Sequence, residues 1–357
     1  MMFLNSFLRT MLLLAAFGVA LAPLVTVGQT ATTAAKPFTP PKTPWGDPDI
    51  QGLWPGNHMV GTPLERDRSL GTRAFLTDEE FEKRVAFAEQ QNEIDTAEFV
   101  SRNPRIARGG VFVTCDQDPE RCRDGVRIGP PNYWDERGKP NRQASLVMDP
   151  ADGRIPPLTP EAQKLAAGRA AARKARPCAV SGAGCHDSWE DESLWNRCIT
   201  RGLVGSVLPQ GYNTGNQIVQ SPGYVVFRNE MIHEARMIPV DGRPHVSSSI
   251  RTWLGDSRGR WEGNTLVVET TNFLAGTPVG NTPASDALRL VEKFNLADKD
   301  TLNYSITVED PKTWTKPWTI SFPLKRDNTY QVFEYACHEG NYYMRNALAG
   351  ARAEEAK

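Results

Sequence analysis

The chain has 357 residues, and its 41 lysines and arginines nearly balance its 42 aspartates and glutamates, which gives a formal net charge of −1 at pH 7. Neither sign forms a long block, so the sequence lacks the basic stripe with which nucleic-acid-binding proteins neutralise phosphates, and we expect no nucleic-acid partner. The 29 glycines and 27 prolines predict a fold rich in turns and ordered loops rather than in long helices.

Residues 1–35 have the three parts of a secretory signal peptide. Arg9 supplies a positive charge, an apolar segment covers residues 11–25, and small residues follow up to Ala35. The alternative is a membrane anchor, but the apolar segment is shorter than the roughly 20 residues of a spanning helix and it contains Pro23. We therefore expect signal cleavage, a periplasmic or secreted mature protein, and no membrane partner after cleavage.

Residues 36–200 are predicted to form a loop-rich elaboration with two helices. A proline-rich, extended lead is followed by DIQGLW, which is typical of a short buried strand. The first helix begins at Asp78, where three consecutive acidic residues suit the positive end of the helix dipole. The second begins at Pro160, with Thr159 as its N-cap. We expect this region to pack on the domain that follows.

Short predicted strands dominate residues 201–357. From Gln217 onward they follow one another without intervening helices, separated by turn sequences such as SPG, VDGRP and RDNT. They include MIHEARMIPV, SIRTWLG, TLVVETTNF and YQVFEYAC. This order predicts an antiparallel meander. So many strands usually close into a barrel or a sandwich, because closure removes exposed sheet edges. We therefore predict a mainly β protein with an antiparallel β-barrel core and a short C-terminal helix.

Six cysteines fit an oxidising compartment, in which disulfides form. The alternative is a zinc site, but the close C-x2–4-C spacing of zinc knuckles is absent. Two pairs each bracket a short loop and two cysteines remain for a long-range bridge, although spacing alone leaves the connectivity open. In chain order, the six are Cys115, Cys122, Cys178, Cys185, Cys198 and Cys337.

Several strings of this sequence resemble a large group of exported, mostly uncharacterised bacterial proteins. That group has DGRPH, then W-x-G-D-S-x-G-R-W-E-G-D-T-L-V-V-E-T; here Asn264 replaces the usual aspartate, and asparagine is also a good turn residue. DIQGLW and YACHEGN belong to the same pattern, which covers most of the mature chain. The resemblance implies a lipocalin-like (calycin) barrel and a core disulfide between Cys198 and Cys337, but it brings no established reaction.

The histidines are the first candidates for chemistry, because imidazole titrates near neutral pH and serves as acid or base. His233 lies in a predicted strand, where two-residue alternation puts it on the face opposite Arg236. His338 follows Cys337 in a polar segment. The alternative for each is an ordinary structural hydrogen bond, with Arg236 paired to Glu230 or Glu234. In the predicted site, two histidines act as acid and base, two arginines hold an anionic or carbonyl oxygen, and a tyrosine stacks or hydrogen-bonds. The predicted catalytic residues are His233, His338, Arg236, Arg251 and Tyr335.

Aromatic and polar residues in the shared segments are candidates for a ligand pocket, although most aromatic residues belong to protein cores. The predicted substrate-binding residues are Trp54, Trp253, Glu339 and Asn341. A metal site built from His233, His245, His338 and Glu339 is the alternative use of the same segments, but no metal-binding spacing joins them and we predict none.

The common signatures of cofactor and nucleophile chemistry are absent from the sequence. It has no Gly-rich nucleotide loop, no G-x-S-x-G elbow and no C-x-x-C redox motif. We therefore predict an enzyme without a cofactor, of the lyase, hydratase, isomerase or hydrolase type, that performs acid–base chemistry on a small soil- or plant-derived molecule. The alternatives are a non-catalytic lipocalin-like protein that binds a small hydrophobic or aromatic ligand, and a structural protein of the cell envelope.

Overall fold

Antiparallel β-structure dominates the protein. The computed structural model describes residues 38–96, 105–106, 112–113, 136–176 and 186–356. The strands in chain order are β1 (Gly52–Leu53), β2 (Arg105–Ile106), β3 (Phe112–Val113), β4 (Val147–Asp149), β5 (Asn216–Ser221), β6 (Tyr224–Asn229), β7 (Ala235–Pro239), β8 (Asp256–Glu262), β9 (Thr265–Thr271), β10 (Pro278–Val279), β11 (Thr282–Pro283), β12 (Arg289–Asp298), β13 (Thr301–Glu309) and β14 (Trp318–Lys325). The helices are α1 (Asp78–Thr96), α2 (Pro160–Ala175), α3 (Gly202–Val207) and α4 (Tyr342–Glu355).

The strands form two main sheets, both antiparallel throughout. The smaller sheet has the order β1-β5-β6-β7, and the larger has the order β4-β14-β13-β12-β9-β8. The hairpins β2–β3 and β10–β11 stand apart as two-stranded pairs. The prediction of a mainly β, antiparallel protein is therefore confirmed.

The core lies on the inner face of the larger sheet, as two-residue alternation requires. Tyr304 on β13 is opposite Phe294 on β12 and Phe322 on β14, and all three are buried. Their ring centroids lie 5.0 and 5.6 Å apart, and Phe227 of the smaller sheet contacts Phe294 at 5.4 Å. Edge-on and tilted aromatic pairs at this spacing are favourable, so this row of rings joins the two sheets.

The two sheets lie side by side at one edge, but the hydrogen-bonding ladder does not continue across it. A Cβ atom on Gly259 of β8 would lie 3.1 Å from the Ile238 side chain and 2.7 Å from the Val240 side chain. Ile238 on β7 and Val240 just after it therefore pack directly on β8. Among the described strands β7 and β8 are both sheet edges. The predicted closed barrel is therefore not found in the part of the chain that the structure describes.

The predicted helices are present. Asp78 begins α1, and Thr159 caps α2 by accepting a hydrogen bond from the Ala162 N–H at 3.1 Å. The C-terminal helix is α4. None of the described helices has the length and apolarity needed to cross a bilayer.

Two predicted strands are replaced by irregular backbone, and one starts late. SIRTWLG forms turns and YQVFEYAC forms no ladder, because its backbone donates elsewhere: the Phe333 N–H, for example, bonds to Glu230. The strand predicted from Met231 begins only at Ala235, after a short 3-10 turn at Met231–His233. The YQVFEYAC segment matters for function because residues 333–337 line a pocket.

Candidate functional site

A pocket of about 920 Å³ opens beside the smaller sheet. Cavities of this size hold ligands of drug size. Three stretches of the chain supply its walls, together with Glu136: they are 195–198, 212–213 and 333–343. Five of its lining residues are aromatic, namely Trp195, Tyr212, Phe333, Tyr335 and Tyr343.

A disulfide between Cys198 and Cys337 joins two of the pocket walls. This confirms the long-range bridge that the resemblance implied, whereas Cys115, Cys122, Cys178 and Cys185 lie outside the described residues. Asn341, at the start of α4, reinforces the junction by donating from Nδ2 to the Asn196 carbonyl at 2.8 Å and to Cys198 Sγ at 3.3 Å. The geometry of both walls therefore depends on one covalent link and the amide beside it.

Glu230 is a buried carboxylate behind the pocket, just after β6. Its oxygens accept three N–H groups: Asn213 Nδ2 at 2.9 Å, the Phe333 backbone at 2.9 Å and the Gly215 backbone at 3.2 Å. These three donors satisfy the hydrogen-bonding capacity of a side chain that is cut off from water. Glu230 therefore ties pocket segments from three parts of the chain to one side chain.

Glu136 is the second carboxylate, and it lines the pocket itself. It accepts the backbone N–H groups of Asn213 at 3.2 Å and Thr214 at 3.3 Å, and the Thr214 hydroxyl at 2.9 Å. The Tyr330 hydroxyl lies between the two acids, 2.8 Å from Glu136 Oε2 and 2.6 Å from Glu230 Oε2. Burial, and then the hydrogen bond to Glu230, raises the pKa of Tyr330, so this phenol keeps its proton.

The contacts join three oxygens: that of the Tyr330 hydroxyl and one from each of the two carboxyls. The hydroxyl has only one hydrogen to donate to them. If Tyr330 donates to Glu230, the closer partner, its contact with Glu136 is a hydrogen bond only when Glu136 carries a hydrogen of its own. The Tyr330 hydroxyl contacts both acids, so it can accept a hydrogen from one carboxyl while it donates its own to the other. The arrangement can therefore pass a proton between a pocket-lining acid and a buried one through the phenol.

The backbone next to Glu230 is strained. Ile232 and His233 both have left-handed conformations, with φ of 59° and 47°. A β-branched residue rarely adopts a positive φ, and each such residue costs of order 1–3 kcal/mol. The turn is held by its surroundings, since the Ile232 side chain is buried and His233 Nδ1 bonds to the Tyr335 carbonyl at 2.9 Å. Strain of this kind is concentrated at functional sites, and here it adjoins the pocket wall.

A second polar group backs the opposite wall. Glu192, whose side chain is 4 % exposed, accepts from His186 Nδ1 at 2.6 Å and from Asn196 Nδ2 at 2.9 Å. It also accepts the hydroxyl of Tyr343, whose pKa is raised by burial and by that hydrogen bond. Asn196 and Tyr343 line the pocket, so a buried carboxylate fixes the orientation of two lining side chains.

Four of the predicted catalytic and binding residues lie at or near the pocket. Tyr335 and Asn341 line it. His233 and His338 are exposed and face one another with ring centroids 6.2 Å apart, beside the backbone of the lining segment but outside the lining. Sequence reasoning thus identified one wall of the pocket and the histidine pair next to it.

The remaining predicted residues are elsewhere. Arg236 is buried in the core, paired with Glu292, and Trp54 is fully buried and donates to the Ile50 carbonyl. Arg251 bonds to the carbonyls of Phe273 and Asp286, and Trp253 lies in the turn that follows. Glu339 is exposed, one residue beyond His338. The pocket lining includes none of these five.

The arrangement needed for a metal ion is also not found. Among the described residues, no group of three or more histidines, cysteines, aspartates or glutamates is placed to hold a metal. His245 lies away from the other two candidate histidines, with Nδ1 2.7 Å from Asp256 Oδ2 at the start of β8.

Sequence reasoning missed Glu136, Tyr330 and the role of Glu230. None lies in a strand or helix, and Glu136 and Tyr330 are distant from each other in the sequence. The sequence indicated Glu230 only as a partner for Arg236 and gave no signal for Glu136 or Tyr330. No protein-family model, no curated protein and no solved structure matches this chain.

Proposed function

We propose that this protein is an exported enzyme that performs acid–base chemistry, without a cofactor, on a small molecule held in the aromatic pocket. The single observation that carries the proposal is the Tyr330 hydroxyl between Glu136, which lines the pocket, and Glu230, which is buried. Elimination, hydration, isomerisation and hydrolysis all need a proton to be delivered or removed at a chosen atom, and such a group supplies that step.

Each residue of this group has a distinct role. Glu136 gives a proton to the ligand or takes one from it, because it is the carboxyl of this group that lines the pocket. Tyr330 passes hydrogen by accepting from one carboxyl while donating to the other. Glu230 is held in place by its three N–H donors and exchanges a proton with Glu136 through Tyr330.

The histidine pair enters the proposal as a positioning device. His233 donates from Nδ1 to the Tyr335 carbonyl, and Tyr335 lines the pocket. His338 lies one residue from the disulfide that closes the same segment. We expect these histidines to set the position of the wall, while the carboxyl pair transfers the proton.

Export and the lipocalin-like relationship belong to the same proposal. The disulfide supports export, since such bonds persist in oxidising compartments. The antiparallel strand order and the side-by-side packing of β7 and β8 support a barrel of lipocalin type that is left open at this edge.

The proposal is tested by incubating plant and soil extracts with catalytic amounts of protein in heavy water, followed by untargeted mass spectrometry. An enzyme forms product in molar excess over protein, and proton transfer to carbon labels it with deuterium. Glu136→Gln and Tyr330→Phe should abolish the change, whereas Glu262→Gln, an exposed acid on β8 paired with Arg260, should not. Depletion limited to one ligand per protein would instead support the binding-protein alternative, and turnover that survives Glu136→Gln would contradict the assigned role.

A further inference from the structure

We infer that the ligand of the pocket is an organic cation: an amine or quaternary ammonium group carried on an apolar or aromatic body. This inference deepens the proposed function and rests on the same pocket. It depends on which polar groups the lining presents and which it lacks, and it concerns binding rather than turnover.

The aromatic walls favour a positive charge. Tyr212, Phe333, Tyr335 and Tyr343 line one cavity, and the face of an aromatic ring carries partial negative charge. A cation that is stripped of water and placed over such faces is attracted to them, an arrangement that proteins use to bind ammonium groups.

The charged residues of the lining have one sign. Glu136 and Glu334 line the pocket, and across the residues that the structure describes no lysine, arginine or histidine does so. Asn196 and Asn213 each donate a side-chain N–H to a buried carboxylate, Glu192 and Glu230, rather than to the ligand. A pocket that offers acceptors and carboxylates selects a ligand that brings hydrogen-bond donors and positive charge.

The guanidinium of Arg201, which contacts a lining residue, does not reverse this balance. Arg201 stacks on the ring of Trp195 at 4.1 Å, outside the lining, and donates to Gln210 Oε1. Burial lowers its pKa, and the negative charge of Glu234 lies within electrostatic range. The carboxylates of Glu136 and Glu334 therefore face no basic side chain within the described lining.

Three probes of nearly equal shape separate charge from size: 3-phenylpropylammonium, 3-phenylpropan-1-ol and 3-phenylpropanoate. Their affinities for the full, disulfide-bonded chain are measured by isothermal titration calorimetry. We expect the ammonium to bind at least about tenfold more tightly than the alcohol, and the carboxylate to bind most weakly. Equal affinities, a preference for the carboxylate, or no binding of any probe at millimolar concentration would each overturn the inference.

Variants assign the preference to the pocket. Glu334→Gln and Glu136→Gln should each lower the ammonium affinity severalfold while leaving that of the alcohol nearly unchanged. The control Glu262→Gln removes an acid of β8 that does not line the pocket. If the control lost as much ammonium affinity, the preference would be a general effect of protein charge, and the assignment of binding to this pocket would be overturned. If the protein prefers the ammonium probe but forms no product in the extract experiment, the proposed catalysis is contradicted and this inference stands. If it forms product but shows no preference among the probes, this inference is contradicted and the proposed catalysis stands.

Discussion

Arg236 and Glu292 form a two-pronged ion pair inside the core, with Nη1–Oε2 and Nη2–Oε1 distances of 2.6 and 2.9 Å. Their side chains are only 6 % and 1 % exposed. Burial by itself lowers the pKa of Arg236, but the charge and hydrogen bonds of Glu292 outweigh it, and the net pKa is raised. The Tyr304 hydroxyl donates to the same carboxylate at 2.8 Å. The pair links β7 to β12 and therefore links the two sheets.

Removing one partner of this pair should destabilise the protein strongly. Arg236→Met or Glu292→Gln leaves a buried charge without its counterion, and we expect each to lower the free energy of unfolding by about 3–5 kcal/mol. The double variant Arg236→Met/Glu292→Leu should cost less than either single change, because no charge is left buried. Urea unfolding of the four proteins measures this, and simple additivity of the single effects would contradict it.

The face on which Arg236 lies was predictable, but its partner was not. Two-residue alternation separates Arg236 and Ile238 from Ala235 and Met237, and the structure has the first pair buried and the second exposed. Glu292 lies on a strand of the other sheet, and the contact depends on how two sheets pack. A single sequence carries no local pattern for such packing, so the prediction of a ligand-holding arginine had no means to recognise a core ion pair.

The pocket shows the same limit more sharply. Tyr335 and Asn341 were found because they lie in the YACHEGN region that the resemblance marked. Glu136 and Tyr330 lie in irregular segments, where periodicity gives no signal, and they meet at Glu230 only after folding. Strands and helices follow local rules of alternation and capping, whereas a site built from loops is fixed by contacts between distant residues.

The acid–phenol contact depends on a glycine. A Cβ atom at Gly215 would lie 2.5 Å from Glu230 Oε2 and 2.6 Å from Tyr330 Cε1. Gly215→Ala should therefore push the two side chains apart and cost roughly 1–3 kcal/mol of stability, as overpacking usually does. Gly168→Ala is the matched control, because its Cβ would meet nothing within 4 Å on α2, and alanine there should stabilise the helix by about 1 kcal/mol. Equal melting temperatures for the two variants would argue against the close approach.

A buried histidine should make stability depend on pH. Burial lowers the pKa of His58, and its Nε2–H donates to the Pro323 carbonyl at 2.9 Å while Nδ1 is buried without a partner in the described structure. Since the folded pKa lies below the unfolded value of about 6.5, the unfolded chain takes up the proton first as pH falls. Stability is therefore fully present above about pH 6.5 and is lost below it, by at most about 1.4 kcal/mol per pH unit for this one proton.

His58→Gln keeps a donor for Pro323 and removes the titration. The loss in unfolding free energy between about pH 7.5 and about pH 5.5 should be smaller in this variant than in the natural chain. Urea titrations at the two pH values give the comparison. His338→Gln, which replaces an exposed histidine, serves as the control substitution. A parallel pH dependence in all three proteins would exclude His58 as the cause.

The disulfide between Cys198 and Cys337 should stabilise both the chain and the pocket. It closes a loop with a sequence separation of 139 residues, and losing a native disulfide typically costs about 2–5 kcal/mol. The double variant Cys198→Ser/Cys337→Ser should therefore unfold at lower urea concentration. It should also bind 3-phenylpropylammonium more weakly even where it is fully folded, because both walls lose their covalent link and Asn341 loses its contact with Cys198 Sγ. Unchanged affinity in the folded variant would mean that packing alone holds the walls, and unchanged stability would contradict the role of the bridge altogether.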